Sequence, residues 1–234
     1  MCSAAWLFQE GGYEMVFNRD EKWTRSASFD CKFETQHQVP GFCARDSDAH
    51  GTWLFTSEVG LTLALLNAYP AGRVPVSGKR TRGQIPLLAA EGESEQALIR
   101  YLNGHNYEDY APFHLLLLAQ SGARRFTWDG STFGEAVMDA QPFVTSSSVH
   151  SERVIAARKE RFKRIRHLPL LDILSDTEAA QSADAIYVTR EDGGTVSQTM
   201  IRVSRSEIEF SVTSRGQIRR RHCVARQSPM ILKG

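Results

Sequence analysis

The stretch MCSAAWLFQEGGYEMVFNRDE, residues 1–21, decides the fold because it contains two apolar segments joined by a turn. Residues 4–8 and 13–17 have strand-like composition, and the residues EGG between them are typical of a tight turn. We therefore predict a β-hairpin whose second strand ends in NRDE, residues 18–21. This hairpin would return the charged NRDE segment to Cys2, the residue directly after the initiator methionine.

Hairpins and helices alternate along the rest of the chain. Apolar runs bounded by turn residues predict further strands in GTWLFTSEVGLTLALLN, FHLLLLAQSG, ARRFTWDG, AIYVTRED, SQTMIRVSR and EIEFSVTSRG. Helical spacing appears in IPLLAAEGESEQALIRYLNG, with Ser94 as N-cap and Gly104 as stop, and in VHSERVIAARKERFKRIRHL and PLLDILSDTEAAQSA. The polar stretch from Lys22 to Asp48 is expected to be irregular. This order predicts an α+β fold, two antiparallel sheets faced by helices, in a single domain over residues 1–234.

Composition narrows the functional classes. The 234-residue chain has 41% hydrophobic and 24% charged residues and a formal net charge of +1, which gives no global field for nucleic acid. The basic residues around Arg158–Arg166 are interpreted as a solvated helix face. No apolar run reaches the length of a transmembrane helix, so no membrane span is expected. Four cysteines without a CxxC pair favour a reduced, cytoplasmic protein and give no spacing for a metal site.

Cys2 has the chemistry of an N-terminal nucleophile. Aminopeptidases normally remove a methionine that precedes cysteine, and this would leave Cys2 with a free α-amine of pKa about 7.7–8.0. That amine can take the proton of its own thiol. Because neighbouring strand residues face opposite sides, Asn18 and Asp20 should share one face and Arg19 and Glu21 the other. If Asp20 faces Cys2, it can hold the α-amine, and Arg19 then needs a bulge to reach the same site.

The motifs MC, FNRDE, GTWLF, GLTLALLN, RG, YAPFHLLL and SQTMIRV, in this order, resemble the NRDE family, which is the transport and Golgi organisation protein family. The resemblance covers Met1 to about Arg205. It implies a relation to N-terminal nucleophile hydrolases, which fold as a four-layer αββα sandwich. Among these hydrolases, the cholylglycine hydrolase and penicillin V acylase branch uses an N-terminal cysteine to cleave non-peptide amide bonds.

The resemblance implies roles for individual residues. Cys2 matches the nucleophile, Asp20 the aspartate that binds the α-amine, and Asn67 the side-chain amide of the oxyanion hole. The acylases have an arginine a few residues before their aspartate, whereas this chain has only Arg19 nearby. Ser147 is the counterpart of a second family asparagine.

The chain differs from the acylases at one further position, and three more residues are predicted to belong to the site. Val196 lies where the acylases have a closing-strand arginine, so the chain is expected to have less cationic support for a thiolate. Asn18, Glu21 and Trp53 are predicted to frame the binding site.

Two functions remain open at this stage. The first is an N-terminal cysteine amidohydrolase or acyltransferase that acts on a non-peptide carboxamide without a cofactor. The second is a non-catalytic carrier of haem or a lipid-like ligand, in which Cys2 is an axial haem ligand or a small packed residue. The expected partners are a small amide, acyl or haem-like molecule, and a homo-oligomer is left open.

Overall fold

The computed structural model describes residues 1–24, 29–35, 38–46, 50–70, 78–138, 140–214 and 217–227. The strands are, in chain order, β1 (Cys2–Gln9), β2 (Gly12–Lys22), β3 (Phe29–Glu34), β4 (Gly41–Asp46), β5 (Thr52–Ser57), β6 (Thr62–Asn67), β7 (Phe113–Ala119), β8 (Gly122–Trp128), β9 (Phe133–Val137), β10 (Phe143–Ser146), β11 (Gly193–Val203), β12 (Glu207–Ser214) and β13 (Gln217–Ala225). The helices are a 3-10 helix (Arg82–Glu91), α1 (Glu95–Gly104), α2 (Ser151–Ile165) and α3 (Leu170–Leu174).

Two antiparallel sheets form the centre of the fold. The six-stranded sheet has the order β10-β1-β2-β11-β12-β13, and the seven-stranded sheet has the order β3-β4-β5-β6-β7-β8-β9. Apolar side chains such as Trp6, Phe17, Leu54 and Leu116 fill the space between the sheets. The outer face of the six-stranded sheet packs on α2 and α3, and that of the seven-stranded sheet packs on α1 and the 3-10 helix. The α+β class and the αββα layering predicted from the sequence are confirmed.

The opening hairpin forms as predicted. Gly11 has a φ of 81°, a left-handed conformation that suits glycine at the turn. The register pairs Cys2 with Arg19 and Ala4 with Phe17, and these residues face the other sheet. Ala5 and Val16 face the helices. The first half of β1 and most of β2 are therefore buried on both faces, which explains their nearly continuous apolar sequence, whereas Leu7 and Phe8 near the turn are exposed.

Two sequence predictions on the strands were wrong. The stretch from Lys22 to Asp48 contains the β3–β4 hairpin, in which the rings of Phe33 and Phe42 lie 5.0 Å apart. These two aromatic side chains pack together and anchor the hairpin. The polar residues around them hid this apolar contact in the sequence. The segment AIYVTRED is not a strand; its backbone makes one isolated bridge, between Thr189 and Gly194.

The helices were predicted more closely. The side chain of Ser94 accepts a hydrogen bond from the backbone N–H of Ala97 at 3.2 Å, so the predicted N-cap is confirmed. The long predicted helix is divided, because a 3-10 helix ends at Glu91 before α1 begins at Glu95. Within the described residues, no helix is both long and apolar enough to cross a membrane.

The basic face of α2 was only partly interpreted correctly. Arg153, Arg161 and Arg164 are neutralised within the chain by acidic residues of the segment that follows α3. Arg158, in contrast, is fully buried, so the prediction that it belongs to a solvated face was wrong. It lies on the same stripe of the helix as the buried Val154 and Phe162, at a spacing of four residues.

Candidate functional site

The NRDE segment alternates between the two faces of β2. Arg19 faces the other sheet, where its guanidinium carbon lies 4.6 Å from the ring centre of Trp53. Its Nη2 atom lies 3.3 Å from Oδ2 of Asp46 and 3.8 Å from Oε2 of Glu21. Arg19 therefore shares the face of its register partner Cys2. The predicted alternation is correct, but Arg19 rather than Asp20 is on the face of the thiol, and β2 needs no bulge for this.

Asp20 points into the helix layer. Its Oδ1 atom accepts a hydrogen bond of 2.7 Å from Thr195 Oγ1, and its Oδ2 atom lies 3.5 Å from Nη2 of Arg158. Neither Oδ2 nor this Nη2 has a hydrogen-bond partner among the described residues. Burial raises the pKa of the Asp20 carboxyl, while Arg158 and the N-terminal ammonium oppose that increase. Asp20 thus keeps one carboxylate oxygen that can accept a hydrogen bond.

Arg158 extends from α2 to the start of β1. Its Nη1 atom donates to Ser3 Oγ at 3.2 Å and to Thr145 Oγ1 at 2.9 Å, and its Nε atom donates to the carbonyl of Ala183 at 3.0 Å. The sequence predicted little cationic support at the site, because Arg19 is the only arginine close to Asp20 in β2 and Val196 lies where the acylases have an arginine. Arg158 supplies such support from a helix instead. The signal that could have revealed it was its position on the apolar stripe of α2.

A bulge in β11 positions Thr195 for this contact. The pairing of β11 with β2 shifts between Thr195, which is opposite Asp20, and Ser197, which is opposite Arg19. Val196 is the extra residue, and it is buried. The bulge allows Thr195 to face the helices beside Asp20.

Asn18 connects β2 to neighbouring elements through hydrogen bonds, and it does not line the cavity at Cys2. Its Nδ2 atom donates to the carbonyls of Leu174, at 2.6 Å, and Ile186, at 3.2 Å. Its Oδ1 atom accepts a hydrogen bond of 3.0 Å from Gln198 Nε2. These bonds join β2 to α3 and to the segment before β11, and they use both N–H donors of the amide.

A cavity of about 150 Å³ opens beside Cys2, between the strand ends and the 3-10 helix. Six of the residues predicted for the site line this cavity: Cys2, Arg19, Asp20, Glu21, Trp53 and Asn67. The other lining residues are Met1, Asp46, Gly51, Thr52, Leu65, Thr81, Arg82 and Gly83.

Met1 continues the strand pairing of β1. The backbone N–H of Asp20 donates to the Met1 carbonyl at 2.9 Å, and the Met1 ammonium donates to the Asp20 carbonyl at 3.3 Å. The α-nitrogen of Cys2 is a peptide amide that donates to Ser146 Oγ at 3.3 Å. Ser147 lies beside this end of the chain, with Oγ 3.2 Å from Met1 Sδ, and it does not line the cavity.

The half-buried Cys2 lies among charged groups at the cavity wall. Burial raises its pKa, whereas the N-terminal ammonium, the backbone amide of Asp20 and the Arg19 guanidinium favour the thiolate. Asn67 lies at the end of β6 on the cavity wall, where its Nδ2 atom is 3.4 Å from the hydroxyl of Tyr69. A nucleophile, cations and a side-chain amide donor therefore line one small space.

Arg82 was missed as a site residue, although its motif RG was noted. It reaches the cavity because Gly51 and Gly83 bring two backbones together. A Cβ atom at Gly51 would lie 2.6 Å from the Cα of Gly83, which is closer than side chains allow. The Arg82 Nη1 atom donates to the carbonyl of Pro112 at 2.9 Å, and burial lowers the pKa of the guanidinium. Close backbone contact through glycine thus fixes this cation at the cavity wall.

The two-sheet architecture, with Cys2 at the start of an inner strand, is similar to that of solved hydrolase structures. Two structures of variants of the conjugated bile acid hydrolase from Clostridium perfringens superpose with TM-scores of 0.62 and 0.61, at 11% and 10% sequence identity. Each match covers 96% of this chain and 92% of the other.

The family follows from the sequence itself. The family model described as Transport and Golgi organisation 2 matches residues 1–216, so the chain belongs to this family. The resemblance noted from the motifs is thereby confirmed. No curated protein sequence matches the chain.

Proposed function

We propose that this protein, after removal of Met1, is an N-terminal cysteine amidohydrolase or acyltransferase that acts on a small non-peptide carboxamide. The observation that carries the proposal is the cavity in which the Cys2 thiol, Arg19, Arg82 and Asn67 meet. Asp20 borders the same cavity, and its backbone is hydrogen-bonded to Met1. This combination supplies the groups that acyl transfer requires.

Removal of Met1 would convert the Cys2 α-nitrogen from an amide into an amine. The Oδ2 atom of Asp20, which accepts no hydrogen bond from the described residues, is available to accept one from this amine. Arg158 and Thr195 would keep Asp20 ionised and oriented. Asp20 would thus place the amine beside the thiol of its own residue, where it can act as the base.

The reaction would proceed through a thioester. The α-amine takes the thiol proton, the sulfur of Cys2 bonds to the carbonyl carbon, and the carbonyl oxygen becomes an oxyanion. The Asn67 amide is proposed to stabilise this oxyanion, an effect typically worth about 10²–10³ in rate. The C–N bond then breaks as the leaving amine takes the proton from the α-ammonium. Water, or another acyl acceptor, finally attacks the thioester and restores the thiol.

The alternative of a haem or lipid-like carrier has less support. Clefts that hold drug-sized ligands measure roughly 300–1,000 Å³, whereas the cavity at Cys2 measures about 150 Å³. Its wall also contains the charged residues Arg19, Glu21, Asp46 and Arg82. The residues around Cys2 therefore do not fit a haem group, and a small polar carboxamide fits them better.

Intact mass measurement of the untagged protein tests the first requirement, which is the loss of Met1. The protein is then incubated with a panel of N-acyl amides of different acyl length, and amine release is followed by fluorescence. Acid quenching should trap an acyl group on Cys2 in the peptide map. Cys2→Ala should abolish amine release, and Asp20→Asn should lower it while leaving Met1 removal unchanged. Retention of Met1, or the absence of both amine release and an acyl adduct, would contradict the proposal.

A further inference from the structure

We propose that Arg82 forms a carboxylate-binding subsite beside Cys2, so that the molecule attacked by the thiol carries a negative charge close to its reacting carbon. The inference rests on the proposed function for the kind of reaction, but the subsite itself is tested without hydrolysis. The proposed reaction does not by itself determine the charge of the substrate. Arg82 would make the site select a substrate with a negative charge.

The other charged groups of the cavity are already paired. Arg19 lies within ion-pair distance of Asp46 and Glu21, which are both on the cavity wall. Asp20 is paired with Arg158 in the helix layer. Arg19 is thus flanked by two carboxylates, and Asp20 and Arg158 balance each other, so neither arginine lacks a counter-charge.

Arg82 differs because no carboxylate among the described residues lies within ion-pair distance of it. One of its five N–H donors is used by the carbonyl of Pro112. Taking a guanidinium out of water without a counter-charge is unfavourable, and an anion that enters the cavity would relieve this cost. Because the planar guanidinium presents parallel N–H pairs, a carboxylate is the group that it binds best.

The position of Arg82 relative to Cys2 limits the size of the ligand. Both residues line one cavity of about 150 Å³, so the carboxylate and the reacting carbon have to be separated by few bonds. The contact between Gly51 and Gly83 fixes the backbone next to Arg82, which prevents the subsite from moving away. An acyl group or amine that carries a carboxylate near the amide meets this requirement.

The test compares two alkylating reagents of nearly equal size, iodoacetate and iodoacetamide. In both cases the Cys2 thiolate bonds to the CH2 carbon and iodide leaves, so only the charge of the reagent differs. We measure the second-order rate constant at Cys2 by peptide mapping, for the full chain and for a short peptide with the same N-terminal residues as the isolated protein. The ratio of the iodoacetate rate to the iodoacetamide rate should be about tenfold higher in the protein than in the peptide.

Arg82→Gln should return this ratio to the value of the peptide, and Arg82→Lys should retain part of the increase. Arg80→Gln is the matched control, because Arg80 is exposed and lies outside the cavity lining, and it should leave the ratio unchanged. Circular dichroism confirms that each variant is folded. If Arg82→Gln does not fold, the salt dependence of the ratio in the unmodified protein replaces it, with a decrease expected at high salt.

Three results would overturn the proposal. An equal decrease of both rates in Arg82→Gln would show that Arg82 stabilises the Cys2 thiolate and does not bind the carboxylate of the reagent. A ratio in the protein no higher than in the peptide would show that the cavity does not favour an anion. A Cys2 that neither reagent modifies would show that no anion reaches the thiol past Arg82. A high ratio together with no amide hydrolysis would contradict the proposed function while supporting the subsite.

Discussion

The two charged pairs on either side of β2 differ in their surroundings, although they involve consecutive residues. Asp20 and Arg158 lie in the helix layer, with side-chain exposures of 1% and 0%. Arg19 and Asp46 lie at the cavity, with side-chain exposures of 8% and 15%. Leaving a buried charge without its partner is costly. At a cavity, in contrast, water or a ligand can take the place of the lost partner. The comparison indicates that the first pair holds the site in place and that the second can take part in binding.

Removing the cation from the helix-layer pair should give the largest effect on stability. Arg158→Met leaves the Asp20 carboxylate buried without a counter-charge, and we expect the free energy of unfolding to fall by about 3–5 kcal/mol. Urea denaturation at pH 7 measures this loss. The double variant Asp20→Asn/Arg158→Met should recover part of it, because the stranded charge is gone. A double variant as unstable as the single one would show that packing, and not charge, is the cause.

The pH dependence of alkylation tests the cavity side. Because burial raises the pKa of Cys2 when Met1 is present, the reacting thiolate is scarce at neutral pH. In protein expressed with the methionine aminopeptidase inhibited, the iodoacetamide rate should rise about tenfold per pH unit from pH 7 to 9. A model peptide thiol should level off near its ordinary pKa of about 8.5. A plateau in the protein at or below that pH would contradict the expected direction.

Thr195→Val removes the hydrogen bond that Thr195 donates to Asp20, and also the one that its hydroxyl accepts from the backbone N–H of Val188 at 3.0 Å, while keeping the shape of the side chain. Since a buried charged acceptor loses a partner, we expect a loss of about 2 kcal/mol in urea denaturation. Thr189→Val serves as the control at an exposed position, with a change of about 0.5 kcal/mol or less. Equal losses in the free energy of unfolding for the two substitutions would show that Thr195 does not stabilise the Asp20 carboxylate.

Arg19→Met should have the smallest effect on stability, although it also removes an arginine from an ion pair. Methionine keeps an apolar contact with Trp53, and the carboxylates of Asp46 and Glu21 border the cavity. We expect a loss of about 1 kcal/mol in the same urea measurement. A loss as large as that of Arg158→Met would show that the two pairs are equivalent, and the comparison would fail.

Sequence alone was sufficient for the features that depend on local pattern. The turn at EGG and the apolar strands fixed the opening hairpin, and alternation separated Asn18 and Asp20 from Arg19 and Glu21. It could not determine which of these faces Cys2 occupies, because that depends on register, which pairs Cys2 directly with Arg19.

Residues that meet only through tertiary packing were harder to identify. Arg158 approaches Asp20 because α2 packs on the sheet, and a basic residue in a basic segment gives no sign of burial by composition. Its place on the apolar stripe of α2 was the available signal. Arg82 joins the site through the contact of Gly51 with Gly83, which are far apart in sequence. No local pattern reports such a contact.

The pairing of Met1 with Asp20 has a consequence for the timing of maturation. A peptidase requires an extended, accessible substrate, but in the folded chain both backbone groups of Met1 are hydrogen-bonded to the neighbouring strand. Removal of the methionine therefore has to precede the stable pairing of β1 with β2, and an isolated hairpin is only marginally stable until β10 and β11 join the sheet. If Cys2 acts as proposed, we expect Met1 to be removed from the ribosome-bound chain, before β1 pairs with β2.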